Sequence, residues 1–282
     1  MGREASPVLA MTAVFHVISC KINLFRAIRV SMLTSERKAL ILNILKRDGR
    51  VIAKEIGQQF DVSDDTIRRD LRELAGEGLL LRVHGGALPA SSAMGDFGAR
   101  EQIASSTKVR LGKVAAGLVQ PGQIVFLDGG TTNVQLAQQL PHSLSATIVT
   151  HSPSIAVALA HHPHIEVELI GGRLFKHSLV AVGTMSAAAI SQVRADLCFM
   201  GATGLHPQLG ITTGDREEAA IKRLMAEQSG EVIMLAGCEK LGAVSPYRIM
   251  GLADLGTLIT ERDIGGEQRG WLDEAGVTLM EV

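Results

Sequence analysis

Between residues 108 and 260, short apolar runs alternate with helix-like stretches, and this alternation limits the possible folds more than any other feature. Such alternation is typical of βα units, which build a mostly parallel sheet covered by helices. The predicted strands are Ile124–Leu127, Thr147–Thr150, Ile165–Ile170, Leu197–Met200, Val232–Ala236 and Leu258–Thr260. The predicted helices are Lys108–Leu118, Asn133–Leu140, Ser154–Ala160, Ser186–Val193 and Glu217–Gln228. We therefore predict an α/β domain that binds its ligand at the carboxyl ends of the strands.

A glycine-rich turn follows the first predicted strand and leads into a helix. Its residues are Asp128, Gly129, Gly130, Thr131 and Thr132. Glycine lets backbone N–H groups approach a ligand closely, and hydroxyls at a helix N-terminus favour phosphate. No GKS, GKT or GxGxxG motif accompanies the turn, so a nucleotide loop is not indicated. The turn is a candidate phosphate site, and a plain glycine turn with a threonine cap is the alternative.

Polar residues and glycines also follow the other predicted strands, where parallel strands bring their ends to one edge. The candidates at these ends are Thr150, Ser152, Gly201, Gly204 and Lys240. Turns that expose backbone and carry hydroxyls suit a small phosphorylated polyol better than a nucleotide. Lys222 lies on a predicted helix four residues after Glu218, so it is a candidate for either a ligand contact or a salt bridge.

Three short amphipathic helices and a glycine hairpin precede this domain. Residues 36–45, 53–60 and 64–75 have apolar residues at helical spacing, and residues 79–88 contain the hairpin turn His84-Gly85-Gly86. In the third helix Ile67, Leu71 and Leu74 form the buried stripe. This order of elements predicts a winged helix-turn-helix that binds double-stranded DNA.

The open face of the third helix carries the candidate DNA contacts. Arginine pairs with guanine edges or phosphates, threonine serves either, and Asp65 could accept from a cytosine amino group. Residues 32–90 contain ten basic and nine acidic residues, which leaves a net charge of only +1. Charge alone therefore does not indicate DNA binding. A solvated basic face, or a module that contacts protein, is the alternative. The candidate DNA-binding residues are Ser63, Asp65, Thr66, Arg68, Arg69, Arg72, Arg82 and His84.

Composition supports an ordinary globular protein of the reducing cytosol. The chain has 46% hydrophobic and 20% charged residues, a net charge of −1 and three scattered cysteines, Cys20, Cys198 and Cys238. Neither a metal site nor a cofactor is indicated, since the clustered His161, His162 and His164 lack a cysteine or carboxylate at ligand spacing. We expect a cytoplasmic protein with no membrane partner.

We predict four segments along the chain. Residues 1–31 are an N-terminal extension, because Met32 stands just ahead of the first patterned helix and could be the true start. Within that extension, Val8–Ile18 is too short for a membrane span, although it has the length of a signal-peptide core. Residues 32–88 form the DNA-binding domain, 89–100 a small polar linker and 101–282 the effector domain.

Both halves resemble the DeoR family of bacterial regulators. The resemblance rests on Ser63–Leu71 (SDDTIRRDL), the hairpin Arg82–Ala87, Asp128–Thr132, Gly210–Thr213 and Glu217–Met225, and it covers roughly residues 33–262. It implies that Thr66, Arg68 and Arg69 belong to the recognition helix. It also adds Glu217 to the effector site, and it implies an effector domain similar to ribose-5-phosphate isomerase, a phosphorylated sugar as effector and a homo-oligomer.

One departure from the family pattern affects the effector site. Where the family often has Ala-Asp-Ser-Ser-Lys, this chain has Ala236–Lys240 (AGCEK), so the lysine remains but Gly237 replaces the aspartate. We expect no carboxylate at that place and an atypical effector.

The function predicted from these observations is a transcriptional repressor of a sugar or polyol catabolic operon, controlled by a phosphorylated sugar. The alternative is a sugar-phosphate isomerase fused to a DNA-binding head. Asp128, Glu217, Lys240 and His151 have the residue types such an enzyme needs, but no two of them lie in one compact motif.

Overall fold

The computed structural model describes residues 32–91, 95–103 and 105–282, so the N-terminal extension lies outside the described residues. The chain divides into two compact units, Met1–Leu40 and Ile41–Val282. Of the first unit only Met32 to Leu40 are described, and they contain the start of helix α1 (Thr34–Asp48). The rest of the description concerns the second unit.

The segment Val51–Pro89 folds as two helices and a three-stranded antiparallel sheet. The helices are α2 (Ala53–Gln59) and α3 (Asp64–Gly76). The strands β1 (Val51–Ile52), β2 (Leu80–Val83) and β3 (Gly86–Pro89) pair in the order β1-β3-β2. Together with α1 they form a winged helix-turn-helix as predicted, with β1 as an additional strand.

Individual residues determine where α3 begins and how closely the wing packs against strand β1. Ser63 begins the helix, because its side chain accepts a hydrogen bond from the Thr66 backbone N–H. Gly86 must be glycine, since an added Cβ would overlap the Val51 carbonyl group of the neighbouring strand. The predicted stripe Ile67, Leu71 and Leu74 is buried and packs with residues of α1, α2 and the wing. This packing holds the opposite face of α3 toward solvent.

The second half contains a seven-stranded sheet in which every pairing is parallel. The strands are β4 (Ile124–Leu127), β5 (Ala146–Thr150), β6 (Ile165–Leu169), β9 (Ala195–Met200), β12 (Ser229–Leu235), β14 (Thr257–Thr260) and β15 (Thr278–Glu281). Their order is β15-β14-β12-β9-β4-β5-β6. The chain adds β5 and β6 on one side of β4, then β9 on its other side. The carboxyl ends of β4 and β9 therefore flank the topological switch point, where α/β sheets bind ligands.

Helices cover both faces of this sheet. They are α4 (Phe97–Gln102), α5 (Ser105–Ala116), α6 (Thr131–Gln138), α7 (Pro153–Leu159), α8 (Thr184–Ile190), α9 (Arg216–Glu227) and α10 (Gly266–Glu274). Two apolar clusters pack against the faces, one around Phe126 and Met234, the other around Leu127 and Phe199. The α/β prediction is confirmed, with the element ends shifted by up to three residues.

Short strands that the sequence did not reveal surround the strand ends. Strands β7 (Arg173–Phe175) and β8 (Val180–Val182) form a hairpin, and β10 (Gly204–His206), β11 (Gly210–Thr213) and β13 (Tyr247–Met250) form a small sheet. None of the described helices is both long and apolar enough to cross a membrane.

The predicted linker differs from the structure at both ends. Pro89 belongs to strand β3, Ala90 pairs with Val244, and helix α4 begins at Phe97. Asp96 begins that helix, because its side chain accepts a hydrogen bond from the Ala99 N–H. Part of the polar composition of the segment therefore belongs to a strand end and a helix cap.

Candidate functional site

A pocket opens at the switch point between β4 and β9. Backbone and side chains from five separate strand ends and from helices α4, α5, α6 and α9 line it. The lining residues are Arg100, Ile103, Lys108, Gly129, Gly130, Thr131, Thr132, Asn133, Ser178, Gly201, Ala202, Thr203, Thr213, Glu218, Lys222, Leu235, Glu239 and Lys240. A second hollow lined by Phe175, His177 and Asp215 shares Arg100, Ser178, Thr203, Thr213 and Glu218 with the pocket and extends it.

The predicted glycine turn forms one wall of the pocket. Gly130 has φ +124°, a conformation that side chains disfavour, and it precedes the first residue of α6. Gly201 faces the turn closely, since an added Cβ would lie 2.8 Å from the Gly129 carbonyl oxygen. The wall therefore offers a helix N-terminus and two threonine hydroxyls at close range, which suits an oxyanion.

Three cationic side chains approach the pocket without forming ion pairs among the described residues. Arg100, Lys108 and Lys240 come from α4, α5 and the turn after β12. Burial lowers the pKa of Lys108, and the positive charge of Arg100 adds to that effect. Burial also lowers the pKa of Lys240, to about 8, and the neighbouring cations act in the same direction. An anion at this position would relieve the mutual repulsion of these groups.

The charge of the lining favours anions overall. Four of its residues are cationic and two, Glu218 and Glu239, are anionic. Lys222 forms ion pairs with buried carboxylates, whereas the other three cations form none among the described residues, and Glu239 is the one lining carboxylate near Lys108 and Lys240. The excess positive charge thus lies on the side of the pocket formed by α4, α5 and residue 240.

Asp128 is the centre of a fully buried polar network beneath the pocket. Its Oδ2 accepts hydrogen bonds from the Gly201 N–H at 2.7 Å and from the Lys222 ammonium, and its Oδ1 lies 2.8 Å from His151 Nε2. Burial by itself would raise the pKa of Asp128, but Lys222 and His151 outweigh it and lower that pKa to about 2. Although burial also opposes a charged ammonium, Asp128 and Glu218 raise the pKa of Lys222. The pair is therefore ionised.

His151 connects this network to the β7–β8 hairpin. Its Nδ1 lies 2.7 Å from the Ala181 carbonyl oxygen while Nε2 faces Asp128. Both ring nitrogens thus lie next to oxygen atoms, one of the Ala181 carbonyl and one of the Asp128 carboxylate. Glu218 lies beside Lys222 at 3.4 Å, so two carboxylates contact this ammonium in the buried group. Loops after β4, β5 and β9 are fixed together by this group.

Glu261, which follows β14, holds two elements that carry pocket cations. Its Oε1 accepts a hydrogen bond from the Thr107 hydroxyl at 2.8 Å, beside Lys108. Its Oε2 accepts one from the Cys238 N–H at 3.1 Å, two residues before Lys240. One carboxylate outside the pocket thus sets the separation of two cations inside it.

The structure brings seven of the twelve predicted effector residues into the pocket lining. These are Gly129, Gly130, Thr131, Thr132, Gly201, Lys222 and Lys240. The remaining five lie elsewhere. Asp128 is buried behind Lys222, Thr150 donates its hydroxyl hydrogen to the Leu127 carbonyl, and Ser152 donates to the Leu179 carbonyl. Gly204 lies under the Ala243 carbonyl, and Glu217 forms an exposed ion pair with Arg173.

Sequence reasoning missed the cations on α4 and α5 and the inner glutamate of α9. Arg100 and Lys108 lie in or beside the predicted linker, so no strand-end argument pointed to them. Glu218 bonds to the Thr213 hydroxyl at 2.9 Å and lies on the pocket side of α9, whereas Glu217 lies about 100° around the helix. The signal available in the sequence was the spacing, because Lys222 lies four residues after Glu218, as the partners of an ion pair on one helix do.

Position 237 carries no carboxylate, as the sequence shows, but the carboxyl group of a nearby residue reaches it. Gly237 precedes the short 3₁₀ turn Cys238–Lys240. The carboxyl group of Glu239 folds back over Gly237, so that an added Cβ at Gly237 would lie 2.9 Å from the Glu239 Cδ and 3.0 Å from Oε1. A carboxylate therefore occupies the space although the sequence places it two residues later.

The open face of α3 carries the predicted DNA contacts on the solvent side. Arg68, Arg69 and Arg72 are exposed, and Arg68 and Arg69 pair loosely with Asp65 at 3.9 Å and Glu73 at 3.3 Å. Such exposed pairs are weak and can open for a phosphate or base. Ser63 and Thr66 share a 2.9 Å hydroxyl contact that belongs to the helix cap.

A cleft separates this helix from the wing. Arg68, Arg82 and His84 line it together with Leu71 and the hairpin glycines. The two exposed basic side chains and the imidazole lie on either side of the cleft, as a DNA backbone between helix and wing requires.

The chain that leaves the wing is bonded to the pocket wall. The Val244 N–H donates to the Pro89 carbonyl at 3.1 Å, and the Ser91 N–H donates to the Val244 carbonyl at 3.3 Å. The Ser91 hydroxyl donates to the carbonyl of Thr203, which lines the pocket. Lys240 lies four residues before Val244 in the same loop.

Comparisons with known proteins match two family models to two separate parts of the chain. Residues 37–93 match the family described as DeoR-like helix-turn-helix domain, and residues 103–262 match the DeoR C terminal sensor domain. The HTH-type transcriptional regulator GlpR of Haloferax volcanii is 33% identical over 253 residues, covering 89% of this chain and 98% of that protein. The HTH-type transcriptional repressor GlcR of Bacillus subtilis is 32% identical over 88% of this chain and 96% of its own length.

Among solved structures, ribose 5-phosphate isomerase A from Methanocaldococcus jannaschii is similar to part of the chain. It is 15% identical with a TM-score of 0.37, over 49% of this chain and 54% of that one.

Proposed function

Because the chain belongs to the DeoR family of transcriptional regulators, we propose that it is a repressor that releases its operator when a phosphorylated sugar or polyol binds. Arg100, Lys108 and Lys240 beside the Gly129–Thr132 turn carry the proposal. A phosphoryl group brings two negative charges to three cations that form no ion pair among the described residues, and the hydroxyl-lined extension of the pocket suits a short polyol chain. We place the protein in the cytoplasm, as its operator requires.

The proposed DNA contacts are the exposed residues of α3 and the wing. Arg69 and Arg72 would meet the major groove, and Arg68, Arg82 and His84 would hold phosphate at the cleft. A single winged helix-turn-helix offers few DNA contacts, so we propose a homo-oligomer that binds paired half-sites. In place of the predicted boundaries at residues 88 and 101, we propose that the DNA-binding domain ends with strand β3 at Pro89 and that the effector domain begins with helix α4 at Phe97.

The contacts of Pro89–Ser91 support a route from pocket to wing. A ligand that shifts Thr203 or Lys240 would also shift Val244 and Ser91, which follow the wing strand directly. Linkage then requires the ligand to bind the free and operator-bound forms with different affinities.

We favour a ligand sensor over an isomerase. An isomerase needs a carboxylate that is available to take a proton from substrate carbon. Asp128 and Glu218 are instead held in ion pairs with Lys222. The remaining lining carboxylate, Glu239, interacts electrostatically with Lys108 and Lys240 on the side that we assign to the phosphoryl group. An aldose–ketose assay with ribose 5-phosphate tests this choice, and turnover would overturn it.

An operator titration tests the proposed function. Fluorescence anisotropy of DNA from upstream of the gene would be recorded with glycerol 3-phosphate, ribose 5-phosphate, glucose 6-phosphate and fructose 1-phosphate. The unphosphorylated compounds are the controls. We expect at least one phosphate ester to weaken operator binding about tenfold and its unphosphorylated counterpart to have no effect. Unchanged operator affinity across the panel would overturn the proposal.

A further inference from the structure

Gly237 is not required by the backbone. Its φ of −71° and ψ of 162° are extended values that any residue adopts, and its side-chain position faces the space above the 3₁₀ turn. The Glu239 carboxyl group lies where the Cβ would be, so a larger residue at position 237 requires this flexible side chain to move. The glycine and the glutamate therefore form one arrangement.

Glu239 lines the pocket between two of its cations. Its negative charge raises the pKa of both Lys108 and Lys240, against the larger lowering effect of burial. Among the described residues no hydrogen bond reaches the Glu239 carboxylate, so its oxygens retain acceptor capacity. Ionised carboxylates are strong acceptors for hydroxyl groups.

We propose that Glu239 accepts a hydrogen bond from a hydroxyl of the effector, in the place where the resembled family carries an aspartate at the position of Gly237. This inference rests on the proposed function and assigns one contact within it. The phosphoryl group lies on Arg100, Lys108 and Lys240, and Glu239 selects ligands that place a hydroxyl next to it. Inorganic phosphate has no sugar hydroxyl, and the repulsion between its negative charge and that of Glu239 opposes a contact of its own P–OH group with this carboxylate.

The alternative is that Glu239 only neutralises Lys108 and Lys240. The two roles predict opposite results for ligands with and without hydroxyls. As a neutralising group, Glu239 competes with every anion, so its removal strengthens the binding of inorganic phosphate and sugar phosphates alike. As a hydroxyl acceptor, its removal weakens the binding of sugar phosphates while inorganic phosphate binds as well or better.

Four proteins separate these roles: the wild type, Glu239→Ser, Gly237→Asp and the double variant. Calorimetry measures the affinity of each full-length protein for inorganic phosphate and for every sugar phosphate of the panel above. Exposed Glu274, outside the pocket, provides the control Glu274→Ser, and circular dichroism confirms folding.

We expect Glu239→Ser to weaken the best sugar phosphate by about tenfold, the effect of one charge-assisted hydrogen bond, without weakening inorganic phosphate. Gly237→Asp alone weakens binding because two carboxyl groups compete for one space. The double variant regains sugar-phosphate affinity to within about threefold of the wild type, since aspartate then supplies the carboxylate.

Two results would overturn the inference: sugar phosphates that bind Glu239→Ser as tightly as the wild type, or a double variant no better than Glu239→Ser. In both cases the wild type still binds sugar phosphates and the proposed function stands. If no compound of the panel binds the wild type, the proposed function fails first and this inference with it.

Discussion

The Ser91 hydroxyl donates its hydrogen to the carbonyl oxygen of Thr203, across 112 positions of sequence. Ser91 lies two residues beyond the last wing strand, and Thr203 lines the pocket. Thr203 also donates to the Ser245 hydroxyl at 2.7 Å, next to Val244, which pairs with Ala90. The DNA-binding wing and the pocket wall are thus joined by a short run of hydrogen bonds.

We expect Ser91→Ala to reduce communication between pocket and operator. The substitution removes the bond to Thr203 and leaves the lining intact. In the wild type the active sugar phosphate lowers operator affinity by some factor, and in Ser91→Ala that factor should be severalfold smaller. The affinity of the DNA-free variant for the same compound should stay within about threefold of the wild-type value. Anisotropy and calorimetry measure the two quantities. Ser191→Ala, which removes a local bond to Ala188, is the control and should retain the full response. A full response in Ser91→Ala would contradict this route.

Asp128→Asn should be strongly destabilising. It removes the carboxylate charge that pairs with the buried Lys222 ammonium, a change that costs about 3–5 kcal/mol in comparable buried pairs. Urea unfolding gives the free energy. The control Glu217→Gln breaks the exposed pair with Arg173 and should cost less than about 1 kcal/mol. Equal losses in both variants would contradict the buried network.

The same carboxylate predicts an acid-sensitive stability. The pKa of Asp128 is lowered to about 2 in the folded chain, below the ordinary value of 3.8. Its contribution is therefore fully present above about pH 4 and is lost as the pH falls toward 2. The difference in unfolding free energy between wild type and Asp128→Asn should narrow over that interval, and a constant difference would argue against it.

Phosphate affinity should fall as the pH rises through 8. The pKa of Lys240 is lowered to about 8, so the ammonium that an anion needs is lost above that value. Phosphate esters are already dianionic there, since their second pKa is about 6. Calorimetry between pH 7 and 9.5 measures the fall. Lys240→Arg keeps its positive charge over this range, so its phosphate affinity should change little with pH. If the affinity of this variant falls as steeply as that of the wild type, a group other than Lys240 is responsible for the pH dependence.

Arg69→Ala should weaken operator binding by about 1–3 kcal/mol if the side chain contacts a base, and should relax sequence preference at that position. Anisotropy with operator and mutated operator DNA measures both effects. Arg194→Ala, on the surface of the α/β domain, is the matched control. Equal affinities for wild type and Arg69→Ala would remove Arg69 from the interface.

Sequence periodicity predicted the main strands and helices because burial alone determines these patterns. It predicted the glycine turn at β4 because conformation and phosphate chemistry coincide there. It placed Thr150 and Ser152 in the ligand site although their side chains lie outside the pocket lining. The position of a strand end predicts the edge of the sheet at which a residue lies, but not the direction in which its side chain points. Nor did it find Arg100 and Lys108, which reach the pocket only through the packing of helices α4 and α5.

The Gly237–Glu239 arrangement also has a consequence for comparing sequences position by position. The Glu239 carboxyl group lies where a Cβ at position 237 would be, so a larger residue there displaces this flexible side chain. The effect of a substitution at one position therefore depends on the residue at the other. Aligned columns would score this chain as having lost an acidic group and gained an unrelated one. In three dimensions the Glu239 carboxyl group reaches the side-chain position of residue 237, two residues back along the chain.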